Sequence, residues 1–155
     1  MSDTTEQQAR ETVLRLLARR EHSQLELRQK LRQRGFTQTQ IEAALNYVGE
    51  RGYQSDRRFA ESWLRQSIAK GDGPTKIAAA AQHKGIRSEL LNELLDELEP
   101  DWFQLCAERL FRKFGEQPPT DRKQRDKIIR HLLQRGFRYE QVQHALQLQS
   151  ECSTD

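Results

Sequence analysis

Hydrophobic positions recur at helical spacing along nearly the whole chain, and strand-type alternation is hard to find. The pattern also repeats itself. With Gly35, Gly85 and Gly136 as origins, 50 and 51 residues apart, apolar residues stand at −8, −4, +1, +6, +9 and +10 in all three copies. The first copy reads Leu27, Leu31, Phe36, Ile41, Ala44 and Leu45. The second reads Ile77, Ala81, Ile86, Leu91, Leu94 and Leu95, and the third Ile128, Leu132, Phe137, Val142, Ala145 and Leu146. Self-similarity at a period of this length marks tandem structural repeats.

Each element of the repeat has a physical reason. A basic residue, a glycine and an apolar residue stop a helix: the glycine takes the left-handed conformation, and the apolar side chain packs back on the last turn. The pairs Gly35-Phe36, Gly85-Ile86 and Gly136-Phe137 are therefore predicted repeat turns. Arg34, Lys84 and Arg135 before them face the negative helix end. Thr37 with Gln40 and Ser23 with Glu26 read as capping boxes, and Ser88 as an N-cap. A further helix precedes each pair, marked by Ala9, Val13, Leu16 and Leu17, then by Phe59, Ala60, Trp63, Leu64 and Ile68, then by Phe103, Cys106, Ala107, Leu110, Phe111 and Phe114. The expected fold is all-α, with three tandem three-helix repeats over residues 9–53, 54–99 and 100–149 between disordered ends at 1–8 and 150–155. Each small unit buries little surface alone, so the repeats are expected to stack into an elongated, curved helical rod.

Composition agrees with helix. Of 155 residues, 19 are Leu against 3 Val and 6 Ile, and the apolar fraction is 35% with a mean hydropathy of −0.94. No run approaches the roughly 20 apolar residues that span a bilayer, so a membrane role is excluded. Cys106 and Cys152 lack metal-ligand spacing, and no signal segment follows Met1, which points to the cytoplasm. Gly71-Asp72-Gly73-Pro74-Thr75-Lys76 misses the phosphate-loop spacing and reads as a turn plus helix start. His22, His83, His131 and His144 never fall at ligand spacing and read as surface or capping residues. Neither an enzyme nor a cofactor is expected.

The net charge of +3 conceals an uneven distribution. Residues 88–101 hold six acids and no base, whereas residues 109–138 hold ten bases against three acids. Lys123, Lys127 and Arg130 lie at i, i+4 and i+7, with Leu132 about 180° from Lys123 at 100° per residue. The basic stripe is thus predicted to point away from the packed face.

Three segments in order resemble the bacterial RecX regulatory family. They are Arg20-Glu21-His22-Ser23 through Leu31; Gly52-Tyr53 through Asp56-Arg57-Arg58-Phe59-Ala60 to Gly71-x-Gly73-Pro74 and Lys84-Gly85-Ile86; and Arg112-Lys113-Phe114-Gly115 leading to Arg135-Gly136-Phe137. Two positions depart from the family's pattern: Gln54-Ser55-Asp56 carries one acid where two are common, and Ser67 stands where a base is frequent. The resemblance implies three three-helix repeats and a non-enzymatic monomer that binds the RecA recombinase filament on single-stranded DNA. Inhibition of filament growth, recombinase activity and strand exchange would follow, with weak direct DNA binding. It also turns the basic residues Arg112, Lys113, Lys123, Lys127, Arg130, Arg135 and Arg138 into the expected partner-binding surface. The alternative is a direct DNA binder in which Leu27–Arg34 and Thr37–Val48 form a helix-turn-helix. Against it, the second of those helices offers Gln38, Gln40, Glu42 and Asn46 but no Arg or Lys.

Overall fold

The computed structural model describes residues 2–153. Among the described residues there are nine α-helices and no strand: α1 (Ser2–Arg19), α2 (Gln24–Gln33), α3 (Gln38–Glu50), α4 (Asp56–Ala69), α5 (Pro74–His83), α6 (Ser88–Leu98), α7 (Trp102–Phe114), α8 (Arg122–Gln134) and α9 (Tyr139–Ser153). This is the all-α repeat that the periodicity predicts. The ends differ from the expected disorder, since α1 is helical from Ser2 and α9 continues to Ser153. Glu and Gln are good helix formers, and burial of Ala9 anchors the turns before it. The Thr12 hydroxyl donates to the Gln8 carbonyl at 2.8 Å within the same stretch. Met1, Thr154 and Asp155, also within the ends expected to be disordered, lie outside the described residues.

The helix boundaries follow local chemistry. Ser23 and Thr37 both form complete capping boxes, with Glu26 and Gln40 returning the bond. Gly35, Gly85 and Gly136 have φ of +90°, +87° and +98°. After each, the next amide donates back five residues: Phe36 to Leu31, Ile86 to Ala81 and Phe137 to Leu132, at 3.2, 2.9 and 3.1 Å. That bond defines the Schellman turn, and it closes carbonyls that the helix leaves open. Pro74 opens α5, where its missing N–H leaves no gap. Asp101 and Asp121 cap α7 and α8 by accepting from Gln104 and Gln124 amides at 3.1 and 2.8 Å.

The described chain divides into two compact units. One comprises the chain up to Trp63 with Ala81–Leu91, and the other Leu64–Ala80 with the chain from Asn92. In the first, α1, α2 and α3 close over Val13, Leu27, Leu31, Ile41 and Val48, with Phe36 packed at the edge. In the second, α7, α8 and α9 close over Cys106, Leu110, Leu132, Phe137 and Val142, with Trp102 and Phe114 alongside.

Hydrogen bonds within each unit explain why the middle repeat is divided. In the first unit the Ser23 hydroxyl accepts from the Glu26 amide at 3.1 Å and donates to the Lys84 carbonyl at 2.6 Å. The start of α2 therefore sits on the turn that ends α5. In the second unit the Gly73 and Thr75 amides donate to the Arg135 and Gly136 carbonyls at 2.7 and 2.9 Å, and the Thr75 hydroxyl donates to Gly136 at 2.6 Å. The start of α5 thus sits on the turn that ends α8. Both hydroxyl bonds span 61 residues of sequence. The glycine turns at Gly85 and Gly136 thus stop one helix and receive another.

Candidate interaction site

The basic face of α8 is built from its own periodicity. Ile128 and Leu132 are buried, Ile129 packs beside them, and Lys123, Lys127 and Arg130 are exposed. None of these three cations belongs to a described ion pair, so their charge is available to a partner. The stripe therefore points outward, as the helical angles predict. The loop leading into α8 is held by Gln149 on α9, whose buried amide donates to the Gly115 and Gln117 carbonyls at 3.0 and 3.1 Å. Sequence reasoning missed Gln149, because a glutamine on an amphipathic helix carries no signal of a fully buried amide.

The other expected partner residues fall into two groups. Arg112 and Lys113 are exposed in the last turn of α7, and Arg138 is exposed before α9. Arg135 is engaged inside the fold: its guanidinium lies 3.0 Å from the buried Asp72 carboxylate and donates to the Lys70 carbonyl at 2.7 Å. Exposed acids Glu89, Asp96 and Glu99 mark the opposite charge in residues 88–101. Of the helix-turn-helix candidates, Gln40 closes a capping box and Glu42 pairs with Arg28 at 2.8 Å. That leaves α3 no cation with which to meet phosphate.

The two departures from the family pattern have structural roles. Gln54 is buried, and its amide donates to the His22 carbonyl and to Asp56 Oδ1 at 3.2 and 2.9 Å. Asp56 also accepts the Gln24 amide at 2.9 Å, so one acid and one amide tie α4 to the start of α2. Ser67 is buried and its carbonyl accepts from Asp72, closing the turn after α4.

Of the histidines expected at the surface or at caps, His22 and His131 lie further in than a surface position, and His22 meets the carbonyl that follows α1. His22 is buried, with Nδ1–H donating to the Arg20 carbonyl at 3.0 Å, and burial holds its pKa below the ordinary value. His131 is half-buried and accepts from Arg109 Nε at 3.2 Å; burial and then the Arg109 charge lower its pKa. Cys106 is the core residue that its helix stripe predicts, its thiol pushed up to about 12 by burial. Among the described residues no three His, Cys, Asp or Glu side chains converge as a metal site. Nor is any helix long and apolar enough to cross a membrane.

Known proteins match this arrangement in order. Three family models cover the chain: RecX, first three-helix domain, over residues 9–47; RecX, second three-helix domain, over 55–95; and RecX, third three-helix domain, over 99–146. The chain is similar to Regulatory protein RecX of Chromohalobacter salexigens, 39% identical over 92% of this chain and 93% of the relative. It is 36% identical to Regulatory protein RecX of Vibrio vulnificus, over 88% of this chain and 90% of that one. The crystal structure of RecX from Lactobacillus salivarius shares the fold, with a TM-score of 0.77 at 22% identity over 97% of this chain and 99% of that one. Three matched domains in order and identity along most of both chains place this chain in the RecX family of regulatory proteins.

Proposed function

We propose that the chain regulates the RecA recombinase without chemistry of its own, by binding the RecA filament on single-stranded DNA and inhibiting filament growth and strand exchange. The observation that carries this reading is the exposed basic stripe of Lys123, Lys127 and Arg130 on a RecX-family scaffold, with no described ion pair to satisfy it. Three cations on one rigid helix face attract acidic protein surface or DNA phosphate together, and each phosphate neutralised releases counterions. The exposed acids of residues 88–101 suit basic recombinase surface and avoid phosphate. Several such contacts on one body reinforce each other through effective concentration. Seated in the filament groove, the protein bridges subunits, obstructs incoming duplex and hinders addition of new subunits.

The test compares binding to RecA filaments on single-stranded DNA with binding to free DNA of equal length across a salt titration. Preference for the filament, weakening as salt rises, is expected; equal affinity for both overturns the reading. Changing Lys123, Lys127 and Arg130 together to Glu reverses the stripe without touching the core. Inhibition of strand exchange is expected to fall at least about tenfold, while the thermal midpoint is unchanged because surface substitutions cost little.

A further inference from the structure

The second unit contains a cluster in which several cations gather around one buried carboxylate. Asp72, only 6% exposed at its side chain, is approached by Arg135 at 3.0 Å, Lys76 at 3.3 Å and Lys70 at 3.5 Å. Arg109 on α7 joins them: a Cβ built on Gly71 would lie 3.2 Å from its Cδ and 3.3 Å from its Nη1. Arg112 follows Arg109 by three residues, on the same side of α7. A recess of about 250 Å³ opens beside Gly71, lined by Arg109, Arg112, Leu105, Ile68, Ala69 and one acid, Glu108. Five bases therefore face two acids, an excess of three positive charges.

A purely structural ion-pair network needs no such excess. One carboxylate satisfies one guanidinium, and the partly buried Arg109 and Arg135 repel each other where the dielectric is reduced. Arg109 registers this: burial, then the charges of Arg135 and Arg112, hold its pKa below the ordinary arginine value. His131 next to it is lowered by burial and by the charges of Arg109, Lys113 and Arg135, so it adds no acceptor charge. What the arrangement lacks is an anion.

We propose that this recess binds one phosphate group of a nucleic-acid backbone, held by Arg109 and Arg112. Guanidinium forks match phosphate oxygens two at a time, and a tetrahedral anion presents oxygens to donors arriving from different directions, which a planar carboxylate does not. The recess is smaller than the roughly 300–1,000 Å³ of whole-ligand pockets, so it accepts a group of a longer chain, not a free nucleotide. The backbone amides of the neighbouring turn play no part. Gly73 and Thr75 already donate to Arg135 and Gly136, which is why the Gly71–Lys76 segment does not act as a phosphate loop. The site goes beyond the filament reading, because it gives the isolated protein an anion contact that requires no recombinase.

The experiment titrates the full chain with inorganic phosphate against chloride at matched ionic strength, following arginine Nε–H resonances by NMR. Saturable shifts at Arg109 are expected with phosphate alone. Arg109→Gln and Arg112→Gln are each expected to weaken phosphate at least about tenfold, or about 1.4 kcal/mol. Arg32→Gln, an exposed charge in the other unit, is expected to leave it unchanged. A short oligothymidylate is expected to displace the phosphate. Equal response to phosphate and chloride overturns the proposal. So does wild-type affinity in Arg112→Gln, whose exposed side chain makes no described bond within the fold. Stronger displacement by oligoglutamate than by oligothymidylate overturns the nucleic-acid assignment. With no recombinase in the assay, none of these outcomes bears on the filament reading.

Discussion

Alanine at the repeat glycines separates the two jobs those turns perform. Gly35 and Gly85 end equivalent helices at φ +90° and +87°, so a Cβ costs the same left-handed penalty at each, roughly 1–2 kcal/mol. Their surroundings differ. Nothing lies within 4 Å of a Cβ at Gly35, whereas at Gly85 it would meet the Leu25 Cβ at 2.6 Å and the Ser23 hydroxyl at 3.2 Å. Relief requires the start of α2 to retreat, stretching the 2.6 Å Ser23–Lys84 bond. Overpacking of this kind costs about 1–3 kcal/mol, so Gly85→Ala is expected to be that much worse than Gly35→Ala. Gly136→Ala should be at least as damaging, because its Cβ would run into Lys76 backbone. Urea unfolding followed by far-UV circular dichroism measures the three variants on one scale. Gly35→Ala and Gly85→Ala agreeing to within about 0.5 kcal/mol would refute the docking of α2 on that turn.

Further outcomes follow from individual side chains. Ser23→Ala removes a cap and strands the Lys84 carbonyl, so it should cost about 2–3 kcal/mol against about 1 for Thr37→Ala, whose hydroxyl only caps; urea midpoints decide. His22 and His131 are held below their ordinary 6.5, so the unfolded chain takes up these protons first and stability falls as pH drops through about 6.5. His22→Gln should flatten that slope, and an unchanged slope would show that His22 does not titrate on unfolding. Glu26 acts in a lower window: burial raises its pKa, but bonds from Arg20 and Ser23 outweigh this, so its contribution is lost only below about 4.5. A thiol reagent at neutral pH should modify exposed Cys152 quickly and buried Cys106 only on unfolding; two fast thiols in the native protein would contradict the α7 core.

Much of the molecule was legible because its signals are local. Ser23 with Glu26, Thr37 with Gln40, and the glycine turns all act across three to five residues, so residue identity and spacing were enough to place them. The outward basic stripe was legible for the same reason, since Lys123, Lys127 and Arg130 share one helix. Arg135 was not. It belongs to the same charge-rich segment, yet its partner Asp72 lies on a turn more than sixty residues away, and no periodicity links the two.

By itself, then, the sequence determined the number of helices, most of their ends, the threefold repeat and the exposed face of α8, because each depends on hydrogen bonds or angles within one helix and its caps. What those elements meet depends on contacts across the fold. Ser23 on Lys84, Thr75 on Gly136, Gln149 under the loop before α8 and Arg135 on Asp72 are pairings between distant segments. They are set by packing and by the need to satisfy buried polar groups, and neither is written in the spacing of neighbours along the chain.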